Sequence, residues 1–399
     1  MKIRYPGYYG KFRCLAGSCP DTCCVDWEIR LDRETEKRYK REALKNNRMG
    51  KKFRRYIKHG TLVPVNGICP FLDGNRLCEI CTAMGEGAMC RTCRQYPRHT
   101  EDYGCLQERI LLLSCPEAAR LVLTEDPGKF FVRETENMTE NMEGIDRRLL
   151  KILLRTRKTL WKISRDRTLS VDQRCLMMLS LGHDMQRRLD QKDGKGIQKV
   201  LKRYEKDGAG ERFRSRLDVY KAEKRKQAEQ APDCRFSFMA DFMECLAELD
   251  PVGNGWEDLL EQCRKALYHS EGSRHRYEAA RAGFMEQAPE LACSLERLLG
   301  YFIYSFFLAA LYDRDAYGKV KLAVYCCLAL EELFFCASAQ GEEEKTDAAR
   351  SAGLSLGTQT ELCHLFARQV ENSDQNRERL LERLEDGEYG IFHAAEILG

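Results

Sequence analysis

The run Phe12-Arg-Cys14-Leu-Ala-Gly-Ser-Cys19-Pro-Asp-Thr-Cys23-Cys24-Val-Asp-Trp27 is answered further along by Cys69-Pro-Phe-Leu-Asp73-Gly-Asn-Arg-Leu-Cys78-Glu-Ile-Cys81 and by Cys90-Arg-Thr-Cys93-Arg-Gln-Tyr96-Pro-Arg98. Thiolates bind soft or borderline metals, and short spacings let one loop supply two ligands. The interleaved Gly and Pro break regular structure, so this region reads as an irregular metal module. Eleven of the chain's 20 cysteines lie at or before Cys115. Spacing alone leaves a zinc site, an iron–sulfur site and a metal-free module open. The radical-type Cys-x3-Cys-x2-Cys signature is not formed, because Cys19-x3-Cys23 is followed directly by Cys24.

Charge follows the same division. Residues 1–115 hold 22 Lys+Arg against 13 Asp+Glu, a net +9; the remainder, 44 against 49, is −5, which sums to the chain's +4. A basic face beside thiolates offsets their charge and draws anions. No nucleic-acid fold motif accompanies it, so no nucleic-acid partner is expected. Met1–Gly10 lacks the apolar core of a signal peptide. The apolar run Tyr301–Tyr312 is shorter than the ~20 residues a membrane span needs. Val320–Ala339 carries Lys321, Glu331 and Glu332. Both read as buried core helices, with no membrane span and a cytoplasmic location. In that compartment cysteines serve metals or cores rather than disulfides. The nine later cysteines are mostly flanked by Leu, Ala or Phe, as in Cys326-Cys327, and nearly all read as small buried hydrophobes.

Asp32 is placed to cap a helix running to about His59, with Gly60 as its stop and Leu31, Tyr39, Leu44, Phe53, Tyr56 and Ile57 facing inward. Residues 61–116 read as turns. Beyond Pro116 a helix over Glu117–Thr124 is followed by a turn at Asp126-Pro127-Gly128. Apolar periodicity then marks helices at about 142–164, 171–190, 195–206, 211–230, 235–249, 256–268, 290–312, 316–340, 358–372 and 374–386. The fold class is mainly α. An irregular N-terminal cysteine-rich metal module, residues 1–120, packs on a C-terminal multi-helix domain, 121–399. A polar connection at 341–357 reads as mobile.

Three blocks carry a family resemblance: Phe12–Asp32, Cys69–Cys78 continuing through Thr92-Cys-Arg-Gln-Tyr-Pro-Arg98, and Leu113-Ser-Cys-Pro-Glu-Ala-Ala-Arg120. They resemble the flagellin lysine N-methylase family, itself related to cysteine-cluster proteins described as zinc- or iron-chelating. The later Leu295-Glu-Arg-Leu-Leu-Gly-Tyr-Phe-Ile-Tyr-Ser-Phe-Phe307 is similar to an apolar helix of that family. The resemblance implies methyl transfer from S-adenosylmethionine to lysines of flagellin, assisted by a [4Fe–4S] cluster, with zinc as the alternative metal. It carries over Cys19, Cys23, Cys69, Cys78 and Cys93 as ligands, with Cys14, Cys24 and Cys115 in reserve; Cys81, Cys90 and Cys105 stand as extras. A cubane takes four ligands, and three would leave one iron open to the donor. The other reading is a non-enzymatic iron–sulfur or zinc module under a helical protein-interaction scaffold.

The remaining candidates come from the residues themselves. Arg94 and Arg98, flanking Tyr96-Pro97, suit a cofactor carboxylate; a structural ion pair is the alternative. Tyr5, Tyr8, Tyr9, Tyr96 and Tyr103 are lysine guides or packing groups. Asp21, Asp26 and Asp73 are turn formers or catalytic groups. Trp27 fills a core or stacks on adenine. The seven histidines show no ligand spacing, and no catalytic base is identified. Gly85-x-Gly87 sits between cysteines, so the ordinary Gly-rich nucleotide turn after a strand is missing.

Overall fold

The Asp32 carboxylate accepts the Thr35 amide at 2.9 Å and opens helix α1, Arg33–Ala43. The expected single helix to His59 is broken. Asn47 caps a second helix, α2 (Arg48–Tyr56), by accepting the Gly50 amide at 2.7 Å. The corner between them requires Gly50, since a side chain there would run into the carbonyls of Glu42 and Lys45. Leu44, expected inside, lies at this corner and is 85% exposed. Gly60 does not stop a helix either. His59 (φ 48°) and Gly60 (φ 77°) form the two-residue turn of a hairpin. Positive φ at both positions matches the strand twist of a type I′ turn.

The computed structural model describes residues 2–25, 27, 29–126, 130–134, 141–227, 235–268, 273–287, 289–340 and 354–398. Strands β1 (Lys2–Tyr5), β2 (Ile29–Arg30), β3 (Ile57–Lys58), β4 (Thr61–Leu62), β5 (Arg98–Asp102), β6 (Leu106–Leu111) and β7 (Phe131–Glu134) form two sheets, ordered β5-β6-β1-β7 and β2-β4-β3. The N-terminal region is therefore less irregular than its Gly and Pro content suggested. Short helices α3 (Glu79–Met84) and α4 (Arg91–Gln95) carry cysteines. Then come α5 (Pro116–Thr124), α6 (Arg147–Ser164), α7 (Val171–Asp190), α8 (Gly194–Glu205), α9 (Ala209–Gln227), α10 (Arg235–Ala247), α11 (Trp256–Cys263), α12 (Ser273–Gln287), α13 (Pro289–Phe306), α14 (Ala310–Asp313), α15 (Ala316–Gln340), α16 (Leu356–Glu371), α17 (Asp374–Glu385) and α18 (Ile391–Ile397). The protein is mainly helical, as its periodicity predicts. Helix α12 and the short α18 carried no clear apolar period. The connection expected at 341–357 falls largely outside the described residues, as does most of the turn at 126–128.

Apolar packing divides in two. A small cluster joins Ile29, Leu31, Tyr39, Phe53, Leu62, Phe71, Ile80, Ala88 and Cys90. Tyr39 stacks on Phe53 at 4.5 Å, and Phe53 meets Phe71 at 5.1 Å. Cys69, Cys78 and Cys93 pack against this cluster. The large cluster runs through the helical body and also takes in Tyr8, Phe12, Leu111, Leu113 and Cys115. Seven of the eight described later cysteines are buried, and Cys293 is half-buried.

The helical stretches Leu291–Asp313, running from α13 through α14, and Ala316–Ala339 of α15 are long and apolar enough to cross a membrane; here, 72% and 83% of their apolar windows are buried inside the protein. Glu331 and Glu332 sit fully buried on α15 because each is paired. Arg235 and Arg281 hold Glu331 at 2.7 and 2.9 Å, and the Tyr268 and Tyr277 hydroxyls donate to Glu332 at 2.6 and 3.0 Å. A buried carboxylate without such partners would cost several kcal/mol.

Candidate functional site

Backbone pairing brings the distant cysteine segments together. The Cys69 amide donates to the Cys24 carbonyl at 2.8 Å, and Val25 bridges Ile68. Cys24 thereby lies between Cys23 and Cys69, whose thiols both donate to its sulfur. These hydrogen bonds, Cys23's first, lower Cys24 below an ordinary thiol. Cys78 stands at the N-cap position of α3 without a side-chain cap bond and feels Cys24 and Cys81. Cys90 caps α4, its sulfur accepting the Cys93 amide at 3.4 Å. The Cys93 thiol donates to Cys90, holding Cys90 down to about 7 and pushing itself up. Cys93 also senses Cys23 and Cys24. Cys90, set aside on sequence, thus belongs to the group and is 2% exposed.

Cys14, Cys19 and Cys115 form an adjoining set, each within electrostatic reach of Cys115 or Cys23. Cys115 stands at the N-cap position of α5, and burial pushes its thiol up to about 11. Cys19 donates to its neighbour's carbonyl at Asp21, 2.8 Å away. The donors suit a thiophilic metal in kind: soft sulfurs from three segments, one of them lowered by its neighbours. Among the described residues, however, no three His, Cys, Asp or Glu side chains close around one point.

The helical body supports this group through α16. Arg368 pairs with Asp21 at 2.8 Å, and His364 approaches the same oxygen at 3.7 Å. Burial and the Arg368 charge lower His364 to about 4, and its Nδ1 is enclosed without a partner among the described residues. Glu371 accepts from the Tyr301 hydroxyl at 2.5 Å and the Ser114 amide at 3.2 Å. Burial raises its carboxyl to about 7 against those hydrogen bonds. Neither His364 nor Glu371 stands in a motif; each is recognisable only from its partners.

The other expected residues separate. Tyr96 faces the cysteines, donates to Ser114 Oγ at 3.2 Å, and lies 5.8 Å from the Trp27 ring. Arg98 instead lies over Phe12, 4.9 Å from its centroid, and Arg94 is exposed. Tyr8 and Tyr103 are buried in the large core, and Tyr5 packs on Tyr9 and Phe131. Asp73 is a turn former, accepting the Asn75 and Leu77 amides at 2.9 Å. Trp27 donates to the Cys23 carbonyl at 2.6 Å, which fixes the cysteine loop. Asp26 lies outside the described residues. Cys81 and Cys105 are half-buried.

Comparison with known proteins places this geometry in a context. The family model of the FliB lysine N-methylase C-terminal domain matches residues 157–398. The flagellar biosynthetic protein FliU of Salmonella muenchen is 30% identical over 149 residues, 35% of this chain and 88% of that protein. The lysine-N-methylase of Salmonella typhimurium is 30% identical over 133 residues, and that of Salmonella choleraesuis 31% over 133. Those matches cover 31% of this chain and span only 33% of each lysine-N-methylase. No solved structure matches the chain significantly.

Proposed function

Since the chain belongs to the FliB lysine N-methylase family, we propose that it transfers methyl groups from S-adenosylmethionine to lysine side chains of flagellin. The family match across residues 157–398 carries this reading. In the reaction the lysine Nζ lone pair forms a bond to the methyl carbon. The carbon–sulfur bond breaks, its electron pair stays on sulfur, and the amine loses a proton. Free lysine has a pKa of ~10.4, so the site must remove that proton. Glu371, whose proton affinity lies near neutrality, is the acceptor we assign. Tyr96, beside the cysteines, would orient the reacting groups.

The same proposal includes an iron–sulfur cluster, with ligands drawn from Cys23, Cys24, Cys69, Cys78, Cys90 and Cys93. Bound there, it would supply a Lewis-acidic iron able to hold the donor's amino and carboxylate groups. The chain's own part is to bring these thiols together and to lower Cys24, which favours its thiolate form.

The test incubates anaerobically isolated full-length protein with recombinant flagellin and S-adenosylmethionine, followed by mass spectrometry. Methyl-sized mass gains on lysine are expected. One observation favours a second reading, a metal module that binds a flagellar partner without catalysis. Gly85 ends α3 and Gly87 lies in the short turn after it, so the chain has no Gly-rich nucleotide turn there. No methyl incorporation, together with no calorimetric binding of the donor, would select that reading.

A further inference from the structure

Beside the cysteines, between α4 and the β5–β6 ribbon, lies an open cleft of about 330 Å³ lined by Arg91, Arg98, His99, Thr100, Gln107 and Arg109. The strand register sets Thr100 opposite Arg109 and Arg98 opposite Leu111. Side chains alternate along a strand, so Arg98, Thr100, Gln107 and Arg109 share one face with Asp102, whose carboxylate is turned to the Gly104 amide at 2.8 Å. The Asp32 carboxylate fixes the approach of α4 by accepting the Arg91 amide at 2.9 Å.

The three guanidiniums are held by neutral partners. Arg91 Nε donates to Gln95 Oε1 at 3.3 Å. Arg109 donates to Gln107 Oε1 from Nε at 3.1 Å and from its terminal nitrogen at 3.0 Å. Arg98 lies over the Phe12 ring. None of the three meets a carboxylate among the described residues. Arg157, Arg174, Arg235 and Arg368, by contrast, all pair with acids. Glu101, next to the cleft, is engaged by His99 at 2.6 Å. Amide partners orient a guanidinium without discharging it. Three like charges facing one space repel one another, and an oxyanion there would relieve this through paired N–H donors.

We propose that this cleft binds an oxyanion carrying two or more negative charges, a phosphate ester or a dicarboxylate, through Arg91, Arg98 and Arg109. The proposal stands whether or not the chain methylates lysine. S-adenosylmethionine fits the cleft poorly, because its sulfonium and ammonium charges would face three guanidiniums.

The experiment is titration calorimetry on the full-length protein at low salt, with inorganic pyrophosphate and glutarate as separate probes. Saturable binding of at least one is expected, and which one binds assigns phosphate or carboxylate chemistry. Arg91→Gln and Arg109→Gln should each weaken it about tenfold or more, the worth of a charged hydrogen bond. Arg91 is exposed, so Arg91→Gln should keep the melting temperature, and it decides the matter if Arg109→Gln misfolds. Added salt should weaken binding by screening. No saturable heat from either probe, or wild-type affinity in Arg91→Gln, overturns the proposal.

Discussion

Asp21, set between Cys19 and Cys23, reaches across the fold to Arg368 of α16, 2.8 Å away. Arg368 is 7% exposed and also donates to the Thr22 carbonyl at 3.4 Å. The cysteine loop is thus clamped to the helical body by a nearly buried charge. Arg368→Ala leaves Asp21 only the more distant His364, 3.7 Å away, and opens the clamp. Asp21 is 32% exposed, so water partly replaces the lost partner and the cost should be about 1–2 kcal/mol, between an exposed and a buried pair. Urea unfolding of the variant measures this, and a loss under about 0.5 kcal/mol, the scale of an exposed pair, would show that the clamp carries no load.

A second clamp is buried more deeply. Arg157 of α6 grips both oxygens of Glu108 at 2.5 and 2.6 Å, and Arg4 of β1 reaches the same carboxylate at 3.3 Å. Glu108 and Arg157 are 4% and 5% exposed. Arg157→Ala should destabilise by about 3–5 kcal/mol, because Glu108 stays buried in the core beside Tyr304. Chemical denaturation at neutral pH is the check.

The metal content sorts the cysteines. Anaerobic protein should be brown, with iron and sulfide near about four each per chain. Cys23→Ala, Cys69→Ala, Cys78→Ala and Cys93→Ala should each lose metal and loosen residues 1–116, since site formation and folding are coupled. Cys326→Ala and Cys363→Ala, in the helical core, should keep it. Colourless protein with stoichiometric zinc and no sulfide would discard the cluster.

Glu371 sets a pH dependence. Its carboxyl is raised from an unfolded value near 4.5 to about 7 by burial. Tyr8, His99, Tyr301, Cys326 and Cys363 feel its charge. Below pH 4.5 both states are protonated, so no stability is lost. As pH rises from about 4.5 to 7, the unfolded chain releases the proton first, and stability falls. The loss is roughly 3 kcal/mol at most, from the size of the shift. Glu371→Gln should flatten the thermal stability profile across that window; an unchanged slope would mean the carboxyl titrates normally.

The helical body was readable because its apolar period is long and unbroken: α7 at 171–190 and α15 at 316–340 occupy the expected residues. The Asp32 cap was readable because capping is a local bond, three residues long. Strand β6 was not. Its residues, Leu106–Leu111, show no alternation, since Gln107 and Glu108 are buried along with the apolar ones. Glu108 is tolerated there by Arg157 and Arg4, far away in the chain. The split between α1 and α2 was hidden because Gly50 reads as a weak helix residue until a second helix crowds it.

The sequence by itself determined the helical class, the cysteine-rich front and the buried character of most of the described later cysteines. Each of these follows from composition or short-range spacing. Only the tertiary structure decided that Cys90 joins Cys93, that Arg98 leaves Tyr96 for Phe12, and that Asp21 meets Arg368. It also decided that Glu371 is desolvated beside Tyr301. These relationships depend on which surfaces exclude water from which charges. That is set by packing between segments as much as 347 residues apart in sequence, Asp21 to Arg368, and no local pattern encodes it.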